Sequence, residues 1–167
     1  MKTLVIAFLA LALVGCHFQR ASPRDVELLE FGIFQETDTG GYVRAPDSVQ
    51  GRSHAVTDAV LIERTTDIRA SRGTSFGIRV KFTGEPAGEI VPCTAKCFHP
   101  KFADPTTQRT SEVEQWENFG TIGSAGYIGY TFDYEWELVP GQWTIQLFVG
   151  SKLKAEKTFN VIVAPST

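Results

Sequence analysis

Regular alternation of apolar and polar residues is the feature that most constrains this chain. Apolar side chains occupy every second position in residues 75–82, and the same period recurs in 127–138, 142–149 and 153–163. Successive side chains of a β-strand point to opposite faces, so this period predicts strands with one buried and one solvated face. Such strands are typical of antiparallel sheets.

Less regular patterns predict further strands at residues 26–35, 58–70 and 90–98. Residues 42–55 contain Gly, Pro and Ser and are predicted to form a loop. Residues 110–119 have two interpretations. Ser111 and Glu114 have the spacing of a helix-capping box, but the short pattern also suits an edge strand, which we favour.

The connection between the last two predicted strands depends on register. A two-residue turn at Gly150-Ser151 would pair Val149 with Lys152 and set core positions opposite charges. A three-residue connection, or a bulge, pairs Val149 with Leu153 and keeps the faces consistent. We therefore expect the three-residue loop. Lys157 interrupts the inner face of the last strand, and the pattern does not explain it.

The N-terminus carries a short apolar segment that ends in a cysteine. Lys2 precedes eleven uninterrupted apolar residues at 4–14, too few to cross a bilayer. The following Gly15-Cys16 completes a segment that resembles a lipobox. This resemblance implies a signal peptide at 1–15, a lipidated Cys16, a tether at 16–25 and a folded domain at 26–164. An ordinary signal peptide with an incidental cysteine is the alternative. His17, where Asp would favour inner-membrane retention, points to the outer membrane facing the periplasm.

Three landmarks in the rest of the chain resemble a bacterial domain family of unknown function. They are the segments 31–33 (Phe-Gly-Ile), 99–100 (His-Pro) and 136–143 (Trp-Glu-Leu-Val-Pro-Gly-Gln-Trp). The resemblance runs from about Val26 to Val163. It implies an all-β, antiparallel, immunoglobulin-like β-sandwich, in agreement with the seven to nine strands expected from the alternation. It implies no activity, because a fold does not specify a function.

Composition and the absence of catalytic motifs reduce the number of function classes that fit this sequence. A net charge of −3 without a run of basic residues argues against nucleic acid as a partner. The sequence lacks a P-loop, a G-x-S-x-G elbow and an H-E-x-x-H motif. We therefore predict a non-enzymatic binding module without cofactor or metal, anchored to the membrane by its lipid and contacting an envelope protein or glycan. An envelope hydrolase using loop carboxylates or His99, and a purely structural assembly protein, are the alternatives.

Aromatic residues outside the clearest inner faces form the candidate binding surface: Trp116, Phe119 and Tyr127. Capping of an open edge of the sandwich is the alternative role for them. For the hydrolase alternative, the residues to be brought together in a pocket are His99, Asp104 and Arg109.

Cys93 and Cys97 are expected to be buried thiols. In a regular strand they lie on one face about 13 Å apart, whereas a disulfide needs Cα atoms within about 7 Å. A disulfide is therefore the less favoured alternative. His99 extends the pattern to C-x₃-C-x-H, but an extended strand cannot bring all three to one ion. The acidic group Asp133, Glu135 and Glu137 is expected on a solvated outer face.

Overall fold

A computed structural model describes residues 25–163, apart from the side chains of residues 38 and 39. The predicted signal peptide and Cys16 lie outside these residues. Within them, no helix is long and apolar enough to cross a membrane. The elements are β1 (Asp25–Arg44), β2 (Arg52–Glu63), β3 (Asp67–Arg69), β4 (Ser75–Thr83), β5 (Ile90–Ala103), β6 (Thr110–Thr121), β7 (Ala125–Thr131), a 3₁₀ turn (Glu135–Glu137), β8 (Gly141–Val149) and β9 (Lys152–Ile162).

The nine strands of the described region form two sheets. The first has the order β2-β1-β4-β7, and the second has the order β3-β9-β8-β5-β6. This arrangement confirms the predicted all-β sandwich and the strand count. The short strand β3 runs parallel to β9, so the second sheet is mixed, while the other strand pairs are antiparallel.

The inner faces follow the alternation of the sequence. Phe76, Ile78, Val80 and Phe82 of β4 are all at most 2% exposed. From the other sheet, Trp143 packs edge-on against Phe76, with ring centroids 5.9 Å apart. Burying side chains of this size contributes roughly 1.5–3 kcal/mol each, so this contact between the sheets is a main source of stability.

Residues 58–70 do not form the single strand that was predicted. The chain leaves the first sheet after Glu63 and joins the second sheet at Asp67, so the segment divides into β2 and β3. The predicted loop at 42–55 is also too long, because its ends pair as Tyr42↔His54 and Arg44↔Arg52. Strand pairing extends the hairpin despite its Gly and Pro content, and only residues 45–51 connect β1 to β2.

The alternation at 127–138 overestimates the last strand before β8. Strand β7 ends at Thr131, and the chain then turns through Glu135–Glu137. Phe132 remains buried because its backbone pairs with the segment before β4, through bonds to Thr74 and Gly73. Beyond Phe132 the apolar–polar period continues in the sequence, but within the described residues no neighbouring strand pairs with this segment.

The β8–β9 connection is the two-residue turn, and the expected three-residue loop is wrong. Val149 pairs with Lys152, and a bulge one step further restores the pairing of Leu147 with Ala155. Leu153 is consequently 47% exposed. The side chain of Lys157 is accommodated by placing its ammonium 3.8 Å from the centroid of the Phe31 ring, a cation–π contact.

The far end of the β1–β2 hairpin forms an arm, defined here as residues 37–56. Its two strands are interrupted by a bulge between the pairs Asp38↔Val56 and Tyr42↔His54. The connecting loop reaches the second sheet, where the Val49 amide donates to Glu114 Oε2 at 2.8 Å and Arg109 donates to the Val49 carbonyl at 3.0 Å. The arm therefore crosses from its own sheet to β6.

Candidate functional site

A cleft of about 330 Å³ lies between the arm and the strands β6 and β7. Strand β6 is the last strand of the second sheet and β7 is the last strand of the first, so the cleft opens where the two sheets of the sandwich end. Residues 48–50 and 52–56 of the arm border one side, and Tyr127 to Thr131 of β7 border the other. Its volume falls at the lower end of the range typical of ligand pockets.

The lining of the cleft is acidic. Five carboxyl side chains border it against one arginine and one histidine. The guanidinium carbon of Arg52 lies 4.2 Å from the centroid of the Tyr42 ring. The carboxyl residues are Glu36, Glu114, Glu117, Asp133 and Glu137.

Glu36 and Tyr127 lie together on the outer face of the first sheet. Glu36 Oε2 accepts a hydrogen bond from Thr131 Oγ1 at 3.0 Å. Burial raises the pKa of Glu36, and burial together with the charge of Glu36 raises the pKa of Tyr127. A Cβ at Gly129 would overlap the Tyr127 hydroxyl, so the ring needs this glycine beneath it. The hydroxyl makes no hydrogen bond of good geometry within the described residues.

His54 of the arm meets Asp133 at one end of the cleft. Its Nε2 lies 3.0 Å from Asp133 Oδ2, and both side chains are about one-third exposed, at 31% and 37%. A second cavity of about 370 Å³ lies beyond this contact and shares Glu36, His54, Thr131 and Asp133 with the cleft. The His54–Asp133 contact therefore lies where the two cavities adjoin.

Glu137 is buried, which corrects its predicted place on a solvated face. Its Oε2 accepts the amides of Asp133 at 2.6 Å and Tyr134 at 2.9 Å, and its Oε1 accepts the Tyr130 hydroxyl at 3.0 Å. Burial raises the pKa of Glu137 to about 7. The carboxyl side chain organises the turn after β7, whereas Glu135 is exposed as expected.

A second buried acid, Glu114, faces His99. Their side chains are 6% and 0% exposed, and Glu114 Oε1 lies 3.8 Å from His99 Nε2. Neither atom has a hydrogen-bond partner among the described residues. The imidazole is stacked on Phe102, with ring centroids 4.0 Å apart. Glu114 and Phe102 both line the cleft, and His99 lies behind them.

Trp116, Phe119 and Tyr127 all border the cleft, but they do not form one exposed surface. Trp116 pairs with the buried Ala95 and packs against the core from the inner face of β6. Phe119, three residues along the strand, lies on the opposite face and is 66% exposed. Tyr127 is partly buried beside Glu36, with its hydroxyl enclosed. Their role in binding stays a prediction.

The cluster expected for a hydrolase is not assembled. His99 is enclosed by aromatic rings, whereas Asp104 is partly exposed in the β5–β6 turn. The Thr106 amide, which donates to Asp104 Oδ1 at 2.7 Å, holds the pKa of Asp104 below its usual value. Arg109 reaches the arm instead, through the carbonyls of Val49 and Pro46.

Cys93 and Cys97 lie on the inner face of β5 and are 6% and 0% exposed. Both are free thiols. Burial raises the pKa of Cys93 to about 11 and that of Cys97 further. In the part of the chain that the structure describes, no three His, Cys, Asp or Glu side chains are grouped to hold a metal.

The sequence reasoning did not select Glu36, His54 or Glu114 as site residues. Glu114 had a detectable signal, because it shares the inner face of β6 with Trp116 at a spacing of two. Glu36 meets Thr131 across the intervening strand β4, and His54 meets Asp133 through the bend of the arm. No local pattern predicts either contact.

Comparison with known proteins agrees with this fold. Residues 22–161 match the family model described as Domain of unknown function (DUF3859). The structure of an immunoglobulin-like protein from Pseudomonas aeruginosa superposes with a TM-score of 0.57 at 24% sequence identity, covering 85% of this chain and 100% of that chain. The sandwich is therefore immunoglobulin-like.

Two other comparisons add no functional argument. An alkylpurine DNA glycosylase from Pseudomonas fluorescens, bound to DNA containing an abasic site analog, covers 57% of this chain and 27% of that chain at 10% identity. Its TM-score of 0.36 is too low to carry an argument. The search of curated proteins found no match.

Proposed function

The chain belongs to the DUF3859 family of domains of unknown function, and from that premise we propose a function on the basis of its cleft and its N-terminal sequence. The protein is a lipid-anchored, non-enzymatic binding module of the bacterial cell envelope. Its ligand occupies the cleft between the arm and the edge strands β6 and β7.

The lipobox-like segment supports the anchor. Acylation of Cys16 would attach several lipid chains, and each buried CH₂ contributes about 0.8 kcal/mol to membrane affinity. Residues 16–25 would then link the lipid to the folded domain. His17 after the cysteine supports an outer-membrane location facing the periplasm.

One observation carries the binding proposal: Glu114, a buried acid in the wall of the cleft, has a carboxylate oxygen without a hydrogen-bond partner in the described region. Buried polar atoms are nearly always paired, and an unpaired one calls for an explanation. A ligand that donates a hydrogen bond within the cleft would supply the missing partner.

The chemistry of the cleft favours binding over catalysis. Glu137 uses both carboxylate oxygens to organise a turn, and the two free thiols are kept protonated by burial. His99, the base of the hydrolase alternative, is engaged with Phe102 and the Pro100 carbonyl. A nucleophile held by a base, the usual arrangement of a covalent hydrolase, has no support here.

The anchor is tested by membrane fractionation of cells that produce the Cys16→Ser variant or are treated with globomycin. We expect the unsubstituted protein in the membrane fraction and a failure of maturation in both tests. Cys93→Ser serves as the matched control and is expected to be processed normally. Unchanged processing of Cys16→Ser would reject the lipoprotein assignment.

Binding at the cleft is tested by placing a photo-crosslinking residue at Gln50, which lines the cleft, or at Val60, an exposed position on β2 outside it. We expect a specific light-dependent adduct in the envelope from position 50 alone. Equal adducts from both positions, or none from either, would contradict a ligand in the cleft. The second result would favour the structural role in envelope assembly.

A further inference from the structure

Strand β7 presents an unpaired edge to the cleft. Five consecutive residues, Tyr127 to Thr131, line it. Within residues 25–163, β7 pairs with β4 alone. Alternate residues of an edge strand direct their amide and carbonyl groups away from the sheet, so one wall of the cleft carries a row of backbone donors and acceptors.

We propose that the cleft binds an extended peptide with basic side chains, which adds to the first sheet as a strand beside β7. This inference rests on the proposed function and specifies its ligand. Strand addition supplies affinity through main-chain hydrogen bonds, and side chains at alternate positions supply specificity. The side chains facing the cleft wall would be lysine or arginine.

The charge of the cleft favours a basic peptide over an acidic one. Five carboxyl side chains line it, with the pKa values of Glu36 and Glu137 raised by burial, and the basic side chains are Arg52 and His54. Arg52 lies over the Tyr42 ring, and His54 contacts Asp133. An acidic ligand would bring like charges together at low dielectric, which disfavours binding by electrostatic repulsion.

The unpaired oxygen of Glu114 indicates what the ligand must donate. His99 Nδ1 lies 2.9 Å from the Pro100 carbonyl oxygen, an acceptor, so Nδ1 carries a proton. Glu114 Oε1 lies 3.8 Å from His99 Nε2, beyond hydrogen-bond distance, and has no hydrogen-bond partner in the described region. An ammonium group of the ligand would supply the donor that this oxygen lacks.

The rim of the cleft provides apolar surface for the other side chains of such a peptide. Val43 of the arm is 42% exposed and Phe119 of β6 is 66% exposed, and both border the cleft. Side chains of an added strand alternate between its two faces. A segment with a basic residue at every second position therefore places the charges on one face and leaves the other for these contacts.

The inference is tested with a fluorescently labelled synthetic peptide of alternating lysine and threonine with blocked ends. Its anisotropy is measured with the full-length protein in nonionic micelles. We expect binding at least about tenfold tighter than for the same peptide with glutamate in place of lysine, a difference of about 1.4 kcal/mol. A peptide N-methylated at alternate residues, which cannot complete the strand pairing, is expected to lose at least about tenfold.

Substitutions in the protein locate the site. Glu36→Gln and Glu114→Gln remove a charge with little change in shape and are expected to weaken binding of the lysine peptide. Glu112→Gln is the matched control, because Glu112 is exposed on β6 and lies outside the cleft. Equal weakening by all three would mean that the peptide reads the overall charge of the surface, which would overturn the proposal.

Other outcomes separate this inference from the proposed function. Undiminished binding of the N-methylated peptide, or equal binding of free spermidine, overturns strand addition. If no lysine peptide binds although position 50 forms its specific crosslink, the peptide inference fails and the binding module stands. If the lysine peptide does not bind and position 50 forms no specific crosslink, both the peptide inference and the proposed binding function fail.

Discussion

The carboxylate of Glu114 accepts the Val49 amide, 65 residues earlier in the chain, at 2.8 Å. This bond joins the tip of the arm to β6. Val49 itself is 3% exposed and packs with the core, so the arm is held by both a polar and an apolar contact. The position of the arm, and with it the shape of the cleft, depends on an acid buried between the sheets.

Removal of this acid should therefore destabilise the fold. Glu114→Ala leaves the Val49 amide without its acceptor, and we expect the free energy of unfolding to fall by roughly 1–3 kcal/mol, the cost of a buried donor left unsatisfied. Glu114→Gln should cost much less, because its amide oxygen still accepts from Val49 and its amino group can donate to His99. Urea denaturation measures the difference.

Glu112→Ala on the exposed face of β6 is the control and should change the free energy of unfolding by less than about 0.5 kcal/mol. Hydrogen exchange at the Val49 amide gives a local measurement. We expect faster exchange in Glu114→Ala than in Glu114→Gln. Equal stability of these two variants would show that the Glu114–Val49 bond does not hold the arm.

The stability should depend on pH through Glu137. Burial raises its pKa from 4.5 to about 7 in the folded chain. Between these values the folded state holds a proton that the unfolded state has lost. The contribution of Glu137 to stability is therefore greatest below pH 4.5, declines as the pH rises to about 7 and then levels off. The decline attributable to this group is of the order of 3 kcal/mol.

Glu137→Gln mimics the protonated carboxyl group and should remove this part of the pH dependence. The comparison of the two proteins by thermal or urea unfolding from pH 4.5 to pH 8 isolates the contribution of Glu137 from that of Glu36, whose pKa is raised by burial as well. Parallel stability curves for the two proteins would contradict the assignment.

The sequence predicted those elements whose burial alternates cleanly. Strand β4 and the inner face of β8 were found from period two alone, because one face of each packs on the core. For the segment 127–138 the same period predicted a strand that was too long, because a period in the sequence carries no information about where the neighbouring strand ends. At Glu137, the hydrogen bonds of a turn override the alternation.

The cleft was less predictable than the fold. Its aromatic border was partly found, but its acids were not grouped, since Glu36 and Glu114 come from different sheets. They border the same cleft because Glu36 is bonded to Thr131 of β7 and Glu114 lies on β6 at the tip of the arm. Contacts set by long-range packing of this kind leave no signature in a local window of sequence.

The close contact of β4 and β7 requires glycine at position 77. A Cβ there would overlap the Ile128 carbonyl oxygen and the Gly129 backbone, neither of which can move without disturbing the sheet. We expect Gly77→Ala to lower the free energy of unfolding by more than about 2 kcal/mol, as overpacking does. Gly126→Ala is the matched control on β7, since a Cβ at that position meets nothing within 4 Å. Chemical denaturation of both variants provides the comparison, and similar losses would contradict a specific steric requirement at Gly77.

The two thiols of β5 should be unreactive in the folded protein. Burial raises the pKa of Cys93 from 9.0 to about 11, which lowers its thiolate fraction near pH 8 by a factor of roughly 100, and Cys97 is fully enclosed. We expect maleimide to label both residues only as fast as the protein unfolds, with peptide mass spectrometry locating the label.

Ser151→Cys, in the exposed β8–β9 turn, provides a fast-reacting reference in the same protein. Exposure of the inward-facing Cys97 thiol requires β5 to open. Labelling of Cys97 at the rate of position 151 would therefore show that β5 opens without global unfolding, which would contradict the prediction.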